Sequence, residues 1–149
     1  MELGANDGYR TKKRYEQLKN QNRDIARERK WANNLLLQEC FTVLGKNKII
    51  LSLDQQEKVL SDFNKKITDL CKTEGREINS VEEIISKWTE KIYIIWDESS
   101  LPVIQTDLTS VIGYEDDIAA VAFETWIVSE NMSKFLQFSD NGKIVEIII

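Results

Sequence analysis

Near its C-terminal end the chain reads Phe135-Leu136-Gln137-Phe138, then Asp140-Asn141-Gly142, then Ile144-Val145-Glu146-Ile147-Ile148-Ile149. Two apolar runs joined through Asn-Gly spell a β-hairpin, because that dipeptide takes the positive φ values of a tight turn. The last two strands of the fold are therefore antiparallel. Further upstream, Ile92-Tyr93-Ile94-Ile95-Trp96 is a compact β-branched and aromatic run and reads as another strand. The long apolar stretch from Ile118 to Val128 reads as a third, paired with the hairpin, although Ala119, Ala120 and Ala122 give it some helical character. Between these strands, Asp97-Glu98-Ser99-Ser100 is a polar turn. Thr106 or Asp107 is placed to cap a short helix through Val111-Ile112 that Gly113 ends.

The first ninety residues have a different texture. After a loose start over residues 1–8, apolar residues recur at helix-face spacing from about Tyr9 to Leu44, as at Tyr15, Leu18, Ile25, Ala32, Leu35 and Leu36. This predicts one long helix or two joined ones, with a thinly apolar and exposed front half and Gly45 as the stop. Lys46 to Ile50 is a short link. Ser52 or Asp54 caps a second helix with a buried stripe of Val59, Leu60, Phe63, Ile67, Leu70 and Cys71. Ser80-Val81-Glu82-Glu83 has the form of a capping box for a third, facing inward with Val81, Ile84, Ile85 and Trp88. Helices segregated from an antiparallel sheet make an α+β protein: N-terminal helices packed on a small C-terminal antiparallel sheet that ends in a β-hairpin. The length of 149 residues fits a single domain over 1–149, mainly helical over 1–90 and mainly β over 91–149.

Charge and composition narrow the function. From Ile92 to Ser133 there are eight acidic side chains and no Lys or Arg, and the whole protein has no histidine. A one-signed field attracts a partner of opposite sign. The missing imidazole removes the commonest general base, the Ser-His and Cys-His nucleophile pairs and the commonest metal ligand. No phosphate loop, dinucleotide fingerprint or nucleophile elbow is present. The chain thus reads as a binding protein, not an enzyme, with no catalytic residue, no cofactor and no metal site. The net charge of −5 disfavours nucleic acid or an anionic membrane as partner of the whole molecule. Residues 1–30, however, carry nine basic and five acidic side chains, so a nucleic-acid-binding or regulatory adaptor built on this basic helix is the alternative reading. Cys40 and Cys71 both lie in apolar helical patterns and are expected as buried free thiols. No apolar stretch reaches the length of a membrane span, and no signal peptide is legible, which points to the cytoplasm.

The candidate contact residues are acidic. Asp97 and Glu98 follow the Ile92 strand, Asp107 sits before the expected short helix, and Glu115-Asp116-Asp117 precede the Ile118 run. The triplet lacks the spacing of a calcium loop, so a solvated turn or a docking patch is its reading. Trp96 would serve as an aromatic anchor beside Asp97 and Glu98 if its ring were exposed; otherwise it is core.

Three passages resemble the small immunity proteins that bacteria make beside polymorphic toxins, including those of contact-dependent growth inhibition. They are Ile92-Tyr93-Ile94-Ile95-Trp96-Asp97 with Leu101-Pro102-Val103, the run from Asp116 to Ile127, and the terminal hairpin with Asn141-Gly142-Lys143-Ile144. The resemblance covers about 60 residues of the C-terminal part. It implies a cytoplasmic protein without catalysis that binds one cognate toxin domain and covers its active site. Many such toxins are nucleases with basic clefts, which an acidic inhibitor can occupy.

Overall fold

The computed structural model describes residues 5–139 and 141–149; residues 1–4 of the expected loose start, and Asp140 of the hairpin turn, lie outside the described residues. The chain begins with α1 (Ala5–Trp31) and α2 (Leu35–Leu44), and the two-residue strand β1 (Ile49–Ile50) follows. Next come α3 (Leu53–Lys72), β2 (Arg76–Ile78) and a 3-10 helix over Val81–Lys87. The remainder is β3 (Lys91–Trp96), β4 (Ile104–Asp107), a 3-10 helix over Leu108–Ser110, α4 (Glu115–Ala119), β5 (Thr125–Ser129), β6 (Lys134–Phe138) and β7 (Ile144–Ile148). The described strands form one antiparallel sheet of seven in the order β1-β4-β3-β5-β6-β7-β2. The α+β reading holds, with a sheet larger than the expected one, because β1 and β2 from the helical half supply its two edges.

Side-chain alternation explains why the strands are apolar at nearly every position. In β3, Ile92, Ile94 and Trp96 point to one face and pack with Leu37, Cys40, Leu44, Ile84, Trp88 and Ile118. Ile95 points to the other and packs with Val59, Phe63 and Leu70 of α3. Both faces are covered, so the usual polar alternation of a one-sided sheet is absent. Fully burying each of these aliphatic side chains stabilises by about 1.5–3 kcal/mol.

Local signals fix several boundaries. Asn34 caps α2 by accepting the Leu37 N–H through its side chain, and Gly45 ends the helix at a φ of 65°. Ser52 caps α3 with a complete capping box: its Oγ accepts the Gln55 N–H while Gln55 Oε1 accepts the Ser52 N–H. At the terminal hairpin the strands pair Phe138 with Ile144, and Gly142 takes a φ of 81°. Gly142 N–H donates to the Ser139 carbonyl and Ser139 N–H to the Lys143 carbonyl, while Asn141 Oδ1 accepts the Lys143 N–H and is hydrogen-bonded to Ser139 Oγ. This is the three-residue loop with a left-handed glycine, not the two-residue Asn-Gly turn.

Four expectations are corrected. The stretch from Ile118 to Val128 is not one strand: Glu115–Ala119 is α4, and the strand starts at Thr125. Three acids at a helix start and alanines behind them favour a helical turn, which outweighs the β-branched residues further on. The segment after Ser80 is a 3-10 helix, and Ser80 makes no side-chain cap; Glu83 reaches back to the Asn79 N–H instead. Its inner face is nevertheless Val81, Ile84 and Trp88, all buried. The helix expected after Asp107 is a single 3-10 turn, and Asp107 gives it no side-chain cap because its carboxylate pairs with Lys91. Cys71 is exposed, one residue round α3 from buried Leu70, whereas Cys40 is buried and burial pushes its thiol up to about 12.

Candidate functional site

The acidic residues divide between the two ends of the sheet. β3 and β5 pair Trp96 with Thr125, so the turn after β3 and the loop before β5 emerge side by side. Asp97 and Glu98 of the first and Phe123 and Glu124 of the second are all exposed. Asp116, exposed on the first turn of α4, lies across a surface groove of about 550 Å³ from Glu98. Phe123, 74% exposed, stands in that groove. None of the described residues lining it is Lys or Arg. Glu115 and Asp117 flank Asp116 and are half-buried. Asp117 faces α2 closely enough to add to the upward push on the Cys40 thiol.

Asp107 is not part of this group. The β3–β4 register pairs it with Lys91, at the start of β3, so the length of the strand, about 17 Å, separates it from Asp97. Its Oδ1 lies 2.9 Å from Lys91 Nζ, which cancels most of its field. Glu130 is at that far end too, beside a groove of about 400 Å³ lined by Lys58, Asp62 and Tyr93. Burial, with Glu130 and Asp62, pushes the Tyr93 phenol up. The charges there are of mixed sign.

Trp96 is core, at 5% exposure, and its indole N–H donates to the Ile118 carbonyl at 3.0 Å. The bond ties α4 to the end of β3, so Trp96 positions Asp97 without facing solvent.

The turn from Asp97 to Ser100 is held from several sides. Asp97 N–H donates to the Glu124 carbonyl at 3.2 Å, and Asp97 Oδ1 accepts the Glu124 N–H at 3.1 Å. Leu101 N–H closes the turn on the Glu98 carbonyl. Trp31 Nε1 at the end of α1 donates to the Ser100 carbonyl at 2.8 Å. Buried Gln56 of α3 donates to the Leu101 carbonyl, and its Oε1 accepts from both Val103 N–H and Arg27. Helices α1 and α3 therefore clamp a short polar loop that would otherwise move, and its carboxylates are presented without a further ordering cost.

Of the candidate contacts named from the sequence, Asp97, Glu98 and Asp116 lie at this end of the sheet, together with Phe123 and Glu124, which were expected inside a strand. The available signal was Ala119, Ala120 and Ala122, whose helical preference delays the start of the strand to Thr125. Among the described residues, no cluster of three or more Cys, Asp and Glu side chains is arranged to hold a metal ion. No helix among them is long and apolar enough to cross a membrane.

A helix-layered antiparallel sheet that presents a clamped acidic turn and an exposed aromatic is the architecture of a protein with a surface to offer. Residues 34–147 match the family model for the CdiI immunity protein, EcoliA0-like, and the chain belongs to that family, whose members neutralise a cognate toxin. The resemblance carried by the C-terminal passages is thereby borne out, and the match extends over α2 and α3, which those passages did not include. No curated protein matches the chain.

Proposed function

We propose that the chain neutralises its toxin by binding, in the cytoplasm and without catalysis of its own, and that the docking face is the acidic end of the sheet. The contact residues on this reading are Asp97, Glu98, Asp116 and Glu124, with Glu115 and Asp117 at the margin and Phe123 as the aromatic centre. The toxin is a nuclease whose basic substrate cleft the carboxylates enter in place of phosphate. Asp107, paired with Lys91, and buried Trp96 contribute nothing direct. The observation that supports this reading is that Glu98, Asp116 and exposed Phe123 line one groove whose described lining holds no cation. An exposed aromatic inside a ring of charge is the composition of a binding hot spot. Preset charge of one sign accelerates encounter with a cationic partner.

The test is co-expression with the toxin domain encoded by the neighbouring gene, followed by binding kinetics on the purified pair. Wild type should restore growth and form a 1:1 complex. Glu98→Lys with Asp116→Lys, both exposed, should keep the melting temperature and slow association at low salt by about tenfold or more. Unchanged association at low salt would remove this face from the interface.

A further inference from the structure

The Asp97–Ser100 turn has a second flank. On the side away from Phe123, a groove of about 300 Å³ runs between α3 and the turn. It is lined by Trp126, Phe63 and Pro102, by Asn64 and Ile67 of α3, and by Asp97, Glu98 and Glu124. The volume is at the lower limit of small-molecule pockets, roughly 300–1,000 Å³, and suits one or two side chains. Two features set it apart from ordinary core. Trp126 belongs to β5, an inner strand paired on both sides with β3 and β6, yet its ring is only half-buried. Helix α3 covers the sheet through Phe63, which meets Trp126 edge-on at 5.5 Å, and Ile67, one turn further along, is left 38% exposed at the groove mouth. A half-buried indole and an exposed isoleucine thus share one groove with three carboxylates.

We propose that this groove is the anchor site for the toxin, and that it takes an apolar side chain flanked by Lys or Arg. The apolar group seats on Trp126 and Ile67, and the neighbouring cation meets Glu98 and Glu124 at the end of the groove. This rests on the proposed acidic docking face and deepens it, because the Asp97–Ser100 turn is shared. The charge of the rim selects the occupant. An acidic or uncharged peptide would gain only the apolar contact, whereas a cation beside the anchor gains a pairing that the partly desolvated wall strengthens. Asp97 is already oriented by the Glu124 N–H, so the rim is set before the partner arrives.

The experiment uses the full chain and the toxin domain encoded beside it. Ile67→Glu separates the two kinds of recognition, since it adds negative charge while removing the apolar wall. If Ile67 is an anchor contact, the variant should bind about 30-fold more weakly through faster dissociation, the loss expected of a hot-spot residue. If the face acts through charge alone, the variant should bind as well as wild type or associate faster, and the inference is overturned. Asn64→Trp, which fills the mouth from an exposed position without changing charge, should weaken binding likewise with an unchanged melting temperature. Loss of association in the Glu98→Lys, Asp116→Lys protein with full affinity in both groove variants would reject the anchor site and keep the acidic face. No complex with wild type would reject the docking reading itself.

Discussion

At the scale of single residues, a polar side chain that composition does not mark ties α1 and α3 to the loop before β4. Gln56 is buried, and its amide makes three hydrogen bonds to two different segments: to Arg27 of α1, and to Val103 N–H and the Leu101 carbonyl in the loop before β4. Arg27 in turn donates to Asp24 and the Leu51 carbonyl and lies over the Trp31 ring. Replacing Gln56 by Leu keeps the bulk and strands an arginine and two backbone groups. A buried polar group left unpaired costs about 1–3 kcal/mol, and three share this fate, partly relieved by water. Gln56→Leu should therefore lower unfolding stability in urea by about 3 kcal/mol. It should also loosen the acidic turn, seen as faster amide exchange at Leu101 and Val103 than at the β5–β6 strands. A stability change within about 0.5 kcal/mol would show that the three partners find other bonds.

At the scale of elements, what was legible in the sequence followed the length and self-sufficiency of each signal. The terminal hairpin carries its turn and both its strands within fifteen residues, and it reads correctly down to the Phe138–Ile144 pairing zone. Strand β3 reads correctly for the same reason. Strands β1 and β2, of two and three residues, have no periodicity to read; they exist because β4 and β7 offer unpaired edges to the passing chain. Helix α4 is five residues long and would not form alone, so the local preference of its acids and alanines needed its packing against α2, with Ile118 buried, to be realised. The acidic face suffered from the same limit: its charges are visible in the sequence, but their division between opposite ends depends on strand register. Helix α3 is the reverse case, since its start is written locally in Ser52 and Gln55. Ser52→Ala removes the side-chain half of that box and should cost about 1 kcal/mol, measured by urea unfolding, with the fold intact. A loss below about 0.3 kcal/mol would mean that the buried face of α3 alone fixes its start.

At the scale of the whole molecule, two regions of opposite charge have different standing. The family match begins at residue 34, after α1, and α1 is where the positive charge lies. Among the described side chains, its polar contacts with the body run from Arg23, which pairs with Glu57, through Arg27 to Trp31. Residues 12–19, 21 and 22 are exposed, Tyr15 at 68% among them. Residues 1–20 carry five basic and three acidic side chains, so their removal takes the net charge from −5 to −7. On the proposed docking reading the arm opposes the acidic face, because its positive charge would repel a cationic cleft that the carboxylates attract. Its influence depends on reach: the screening length is about 30 Å at 0.01 M salt and about 8 Å at 0.15 M. A chain lacking residues 1–20 should melt within about 2 °C of the full protein, because the anchoring contacts from Arg23 onward survive. It should also associate with the toxin domain up to about twofold faster at low salt, a difference that vanishes as salt rises while the dissociation rate stays constant. Slower association would reverse the argument: the arm would then touch the toxin, and the basic helix would belong to the interface together with the acidic turn.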